Sequence, residues 1–167
     1  MLSEERADNA PRIYICRDEV LLAEAINEVI VLARTAVAKN GVLVDTHLTE
    51  GALSVEADRV QLQQVVLNLI LNAVEAMGSV QERPRELLIS TEQDHTGVLV
   101  AVRDSGPGID PENIERVFEA FHTTKSSGVG MGLSICRSII DTHGGRLWAE
   151  ANEPRGAVFQ FTLPSTN

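Results

Sequence analysis

Three things are scarce in this chain of 167 residues, and each scarcity removes a class of function. Positive charge is the first: 14 Lys and Arg stand against 24 Asp and Glu, a net charge of −10. A surface that neutralises nucleic-acid phosphates or anionic lipid needs clustered Lys and Arg, so no nucleic-acid partner is expected. Cysteine is the second. Cys16 and Cys136 lie far apart and show no metal-ligand or redox-pair spacing, so both are expected to be buried, reduced thiols of a cytosolic protein. Third, no apolar run is long enough to span a bilayer, and residues 1–10 are polar rather than signal-like. Direct membrane insertion is therefore not expected, and a cytoplasmic location is. Residues 1–10 read as a tag, a linker end or a disordered terminus, and residues 11–167 as one domain, large enough with 44% apolar content to bury a core.

What is present is patterned. Leu21, Leu22, Ala25, Ile26, Val29, Ile30, Ala33 and Val37 recur at helical spacing, with Asp18 placed to cap that helix and Asn40-Gly41 to close it. Residues 12–15, 42–48, 87–91, 98–103, 146–150 and 157–163 read as strands, several of them rich in Val, Leu and Phe. Asp94-His95-Thr96-Gly97 reads as a hairpin turn. A second helix opens at Asp58, with Gln61 placed as in a capping box. A third carries Gly132, Leu133, Ile135, Cys136, Ile139 and Ile140 and ends at His143-Gly144-Gly145. The expected class is α+β, a two-layer sandwich with three main helices packed on one face of a mixed, mostly antiparallel sheet.

The second helix holds the first functional clue. Val60, Leu62, Val65, Val66, Leu67, Leu69, Ile70, Leu71, Ala73, Val74 and Met77 make it apolar nearly all round, which argues burial on most faces. Yet Gln61, Gln64, Asn68, Asn72 and Glu75 recur at steps of three or four and form one polar stripe. Polar partners or solvent must meet that stripe, because an unsatisfied buried amide costs about 1–3 kcal/mol. Ordinary exposed faces are richer in Lys and Glu than in amides, which favours partners.

Four segments follow in order: Leu62-Gln63-Gln64-Val65-Val66-Leu67-Asn68-Leu69-Ile70-Leu71-Asn72-Ala73, Asp104-Ser105-Gly106-Pro107-Gly108-Ile109, Val117-Phe118-Glu119-Ala120-Phe121-His122-Thr123-Thr124-Lys125 and Gly128-Val129-Gly130-Met131-Gly132-Leu133. Each alone is a weak signal; an isolated Asp-Ser-Gly-Pro-Gly is a strand-ending turn. Together they resemble the asparagine, first glycine, phenylalanine and second glycine boxes of the catalytic, ATP-binding domain of sensor histidine kinases, within the Bergerat-fold ATPase superfamily. Thr123-Thr124-Lys125 and Ser134-Ile135-Cys136-Arg137 resemble the oxygen-sensor and nitrogen-regulator branch.

The resemblance implies ATP and Mg2+ as cofactors. It places Asn68, Asn72, Asp104, Gly106, Gly108, Ile109, Phe121, Thr123, Thr124, Lys125, Gly128, Val129, Gly130, Met131, Gly132 and Leu133 against the nucleotide, with Asn68, Asn72 and Lys125 catalytic and Asn72 as the Mg2+ ligand. Oxygen donors suit that ion. On chemistry alone Asn68 serves equally as a helix amide satisfied by a neighbour; the resemblance puts it in the phosphate or water shell. Asp104 matches the aspartate that accepts from the adenine amine, and Gly106 and Gly108 are expected to let backbone approach the base. The glycines at 128, 130 and 132 and the start of the third helix favour phosphate. Neither a Walker loop nor a dinucleotide fingerprint is formed, since no Gly-Lys-Ser/Thr follows and Leu133 stands where a last glycine would. Lys125 is the best candidate for a cation over the β- or γ-phosphate, and Thr123 departs from the arginine that many family members carry at that position.

Other residues read as structural: Phe118 as a lid anchor, Trp148 as strand packing, Glu75 as a charged edge, His122 as an exposed loop residue, and His143 as a positive partner at a helix end. None of His47, His95, His122 and His143 is followed by the acidic context of a phosphoacceptor histidine. The resemblance therefore implies a separate histidine-containing dimerisation domain, in cis or in trans, and a response-regulator receiver as partners, the chain being monomeric alone and dimeric in a full-length bacterial kinase. Two alternatives stand beside it: an anti-sigma-like serine kinase and a non-catalytic nucleotide-binding interaction module. Serine kinases and the related ATPases usually carry a glutamate base where this chain has Asn68, and an amide cannot abstract a proton.

Overall fold

The computed structural model describes residues 16–120 and 132–166. Ten elements follow in order: β1 Asp18–Leu21, α1 Leu22–Lys39, β2 Val42–His47, β3 Ser54–Ala57, α2 Arg59–Ala76, β4 Arg85–Gln93, β5 Gly97–Asp104, α3 Gly132–Thr142, β6 Arg146–Ala151 and β7 Ala157–Pro164. Five strands form one sheet in the order β2-β4-β5-β7-β6, with β2 parallel to β4 and every other pair antiparallel. The three helices cover one face of it. Strand alternation explains the layering: Val98, Val100 and Val102 on β5 meet Leu163, Phe161 and Phe159 on β7 on the helix side, and all six are buried. Phe161 and Leu69 are fully enclosed, and truncating such a side chain to alanine costs about 2–5 kcal/mol. Among the described residues no helix is long and apolar enough to cross a membrane.

The first helix does not start as its sequence implies. Asp18 opens β1 instead of capping α1, and the Ncap residue, Leu21, offers no side-chain acceptor. The strand wins because Val20 pairs with Val55 on β3 and both are buried, while the Leu22 N–H donates to the Leu53 carbonyl at 3.0 Å. This second, two-stranded sheet has no counterpart in the sequence reading, and the strand expected at 12–15 lies outside the described residues.

The second helix begins as expected, with one change. Asp58 accepts from the Gln61 N–H at 3.0 Å, but the reciprocal half of the capping box is absent. The Asp58 N–H goes to His143 Nε2 instead, at 3.0 Å. His143 is buried, and its Nδ1 faces the Ile139 carbonyl at 2.7 Å. One nitrogen accepts and the other donates, so the ring is a neutral Nδ1–H tautomer, not the cation expected at a helix end. Val60 is 73% exposed, so α2 is less completely enclosed than its composition implies. Cys136 is buried as expected, whereas Cys16 is exposed.

Candidate functional site

Strand parity carries β5 past its valines to Asp104, which therefore faces the helix layer and is 2% exposed. A carboxylate buried there must be met by donors. Its Oδ1 accepts the Gly106 N–H at 2.9 Å and the Ala157 N–H at 3.2 Å, while Oδ2 accepts from no described residue. Burial raises the Asp104 pKa above the ordinary carboxylate value, and the two backbone hydrogen bonds oppose that shift without cancelling it.

The glycines beside Asp104 have reasons in the protein itself. A Cβ on Gly106 would lie 2.9 Å from Asp104 Oδ1 and 3.4 Å from the Ala76 carbonyl oxygen. The carboxylate and the end of α2 therefore require glycine at 106 on their own account. Gly156, just before β7, has φ of +99°, and a Cβ there would sit 1.9 Å from the Asp104 carbonyl oxygen. Gly108 has a positive φ of 86°, and Ile109 packs half-buried on the core.

The contact between Gly106 and Ala76 brings the turn to the C-terminal end of α2, one helical turn beyond Asn72. Asn68 and Asn72 are both half-buried on that helix. Asn68 Nδ2 donates to Cys136 Sγ at 3.5 Å, which joins the asparagine stripe to the first turns of α3. Cys136 is fully buried, and burial pushes its thiol up to about 11, against a smaller opposing effect of the Asn68 amide. Glu75 is exposed, as expected for a charged edge.

The segment after the turn is anchored as its aromatic content implies. Phe118 is buried, packs edge-on against Phe159 with ring centroids 6.0 Å apart, and carries the Arg137 guanidinium 4.2 Å above its ring. Arg137 also reaches Glu115 at 3.5 Å, so this segment is tied to α3. Leu133 is half-buried, and Gly132, the first residue of α3, is exposed. Phe121, Thr123, Thr124, Lys125, Gly128, Val129, Gly130 and Met131 lie outside the described residues, as does His122. Among the described residues no three His, Cys, Asp or Glu side chains converge as a metal centre.

Several supports of this site carry no signal in the sequence. Arg83 donates to the Ser105 and Gly106 carbonyls, and Asn152 Nδ2 donates to the Asp104 carbonyl at 3.0 Å. Asn152-Glu153-Pro154-Arg155-Gly156 is legible as a turn between strands, but its target on β5 is not.

Residues 57–167 match the family model described as histidine kinase-, DNA gyrase B- and HSP90-like ATPase. The sensor protein FixL of Bradyrhizobium diazoefficiens is 44% identical over 147 residues, a match that covers 87% of this chain and 29% of FixL. The nucleotide-free catalytic domain of histidine kinase ThkA is similar in structure, with a TM-score of 0.82 and 41% identity, over 90% of this chain and 97% of that one. Histidine kinase ThkA in complex with the response regulator protein TrrA gives a TM-score of 0.77 at 40% identity, over 90% of this chain and 42% of that one. The chain spans less than a third of the length of FixL.

Proposed function

The chain belongs to the histidine kinase-, DNA gyrase B- and HSP90-like ATPase family, and from that premise we propose that it is the ATP-binding catalytic domain of a two-component sensor histidine kinase. One observation carries the reading: a buried Asp104 carboxylate that holds Oδ1 against two backbone N–H groups and keeps Oδ2 for a ligand. An oxygen so placed accepts from the exocyclic amine of adenine. Guanine presents a carbonyl at that position, and two acceptors would face each other without a proton between them, so ATP is the preferred nucleotide.

The phosphates then lie toward Asn68, Asn72 and the start of α3. The half-buried amides of α2 and their oxygen chemistry fit a magnesium ion shared with phosphate, with Asn72 as its protein ligand. When bound, Mg2+ neutralises charge on the phosphates. With its amide nitrogen engaged by Cys136, Asn68 has its oxygen to offer to the phosphate or water shell. Gly132 and Leu133 at the N-terminal end of α3 favour the anion through the helix dipole, and Lys125 is the proposed cation over the terminal phosphate. Gly108, Ile109, Phe121, Thr123, Thr124, Gly128, Val129, Gly130 and Met131 complete the proposed contact set.

The reaction is transfer of the γ-phosphoryl from ATP to a neutral imidazole nitrogen of a histidine on a separate dimerisation domain. The N–P bond forms as the bond to the ADP oxygen breaks, and positioning and charge neutralisation supply the acceleration. The phosphoryl group passes next to a receiver aspartate, a partner class supported by the complex of ThkA with TrrA. Asn68 stands where a proton-abstracting base would be needed for serine activation or fast hydrolysis, which disfavours a serine kinase. The reading places the domain, residues 11–167, in the bacterial cytoplasm, monomeric by itself and dimeric in a full-length kinase.

The chain given ATP labelled on the γ-phosphate is expected to phosphorylate a supplied helical hairpin bearing the histidine box of a sensor kinase. The product should be acid-labile and base-stable, as a phosphoramidate is, and Asn72→Ala should abolish its formation. Self-labelling that survives acid would overturn the reading in favour of a serine or threonine acceptor.

A further inference from the structure

The turn that follows β5 has its backbone acceptors taken by side chains from elsewhere in the fold. Asn152 Nδ2 donates to the Asp104 carbonyl at 3.0 Å. Arg83 donates through one terminal nitrogen to the Ser105 carbonyl and through the other to the Gly106 carbonyl, the latter at 3.2 Å. The donors are equally committed: the Ser105 N–H goes to the Glu86 carbonyl at 3.1 Å, the Gly106 N–H goes to Asp104 Oδ1 at 2.9 Å, and Pro107 has none. Among the carboxylate and main-chain oxygens of Asp104, Ser105 and Gly106, Asp104 Oδ2 is the one that accepts from no described residue.

Asn152 and Arg83 reach the turn from separate parts of the chain. Arg83 lies in the segment that enters β4, and Asn152 lies between β6 and β7. Asn152 is itself held, since its backbone N–H donates to the Gly156 carbonyl at 3.0 Å while Gly156 closes against the Asp104 backbone. The same turn supplies the Ala157 N–H to Asp104 Oδ1. Both the main chain and the carboxyl of Asp104 are thus referenced to one neighbouring turn.

We propose that Asn152 and Arg83 are positioning residues for the nucleotide: by holding the three consecutive carbonyls of Asp104, Ser105 and Gly106 they fix the adenine-reading carboxylate and set the preference for adenine over guanine. The inference rests on the nucleotide-binding reading of Asp104 above. Releasing Asp104 from Asn152 leaves a buried carbonyl without its donor, and the peptide turns to recover one, which moves the carboxylate with it. Releasing Ser105 and Gly106 from Arg83 exposes carbonyl acceptors that can meet the N–H donors of a guanine edge. Either loss lowers affinity for ATP and narrows its advantage over GTP.

The test is calorimetric titration of the chain, Asn152→Ala and Arg83→Gln with ATP and with GTP, well below each melting temperature. Each variant is expected to bind ATP roughly tenfold more weakly, the order that one displaced hydrogen bond commands, with the ATP-to-GTP affinity ratio falling in step. Asn152→Asp keeps the shape but cannot donate, so it should match Asn152→Ala; Arg83→Lys cannot span both carbonyls and should fall between. A lowered melting temperature with an unchanged ratio would mean that the two side chains serve stability alone and would overturn the inference. Equal affinity for ATP and GTP in the unsubstituted chain would instead overturn the Asp104 reading itself, before any variant is made.

Discussion

The His143 ring accepts the Asp58 N–H on Nε2 at 3.0 Å and donates from Nδ1 to Ile139, and so fastens the end of α3 to the N-cap of α2 across 85 positions of sequence. The asparagines that the proposed mechanism uses sit on one of these helices, and the N-terminal turn that would face phosphate begins the other. A buried side chain outside the proposed contact set therefore helps to hold their relative placement.

Replacing His143 by alanine removes the acceptor from the Asp58 N–H and opens a cavity. A loss of about 1–3 kcal/mol in unfolding free energy is expected from the unsatisfied donor alone. Urea titration of His143→Ala against the unsubstituted chain checks it; a change under about 0.5 kcal/mol, the range of ordinary surface substitutions, would show that water replaces the ring at no cost.

The two thiols should differ sharply in reactivity. Cys16 is exposed, while Cys136 is fully buried with its thiol pushed up to about 11. Alkylation proceeds through the thiolate, so the native chain at neutral pH should incorporate one label, on Cys16, and a second only in denaturant. Equal labelling of both in the native chain would mean that α3 separates readily from α2.

The raised pKa of Asp104 has a defined sign in stability. The folded state holds the proton more tightly than the unfolded chain, whose aspartate has the ordinary value of 3.8. The contribution of this group to stability is complete below the unfolded value and is lost as pH rises through the folded value. Asp104→Asn lacks this titration, so its stability relative to the unsubstituted chain should increase from acid toward neutral pH. Paired urea titrations across that range would contradict the assignment if the difference were flat or of opposite slope.

Much of the sheet was legible because β2, β4, β5 and β7 carry clustered Val, Leu, Ile or Phe, and because Gly41, Pro84, Gly97, Gly145 and Gly156 mark where the strands begin. The strands β1 and β3 were not, because Asp18–Leu21 and Ser54–Ala57 hold four residues each and become strands only by pairing with one another. An Asp ahead of a helical pattern reads as a cap when its long-range partner is invisible. The same limit applies at the site. Asp104 stands out as the end of a strand before a glycine turn, but Arg83, Asn152 and Gly156 act on backbone atoms distant in sequence, and a side chain that seeks a carbonyl leaves no periodic trace. The carbonyl clamp is a property of the folded turn.

The central claim is that Asp104 reads adenine, and the most direct measurement is calorimetric titration of ATP into the chain and into Asp104→Asn, each shown to be folded by thermal melting. The asparagine can keep its oxygen on the Gly106 and Ala157 N–H groups, but its nitrogen then places a donor against the adenine amine. The account predicts clear ATP binding by the unsubstituted chain and its loss, by about a hundredfold or more, in a variant that still melts cooperatively. Binding of ATP by Asp104→Asn with the affinity of the unsubstituted chain would contradict it.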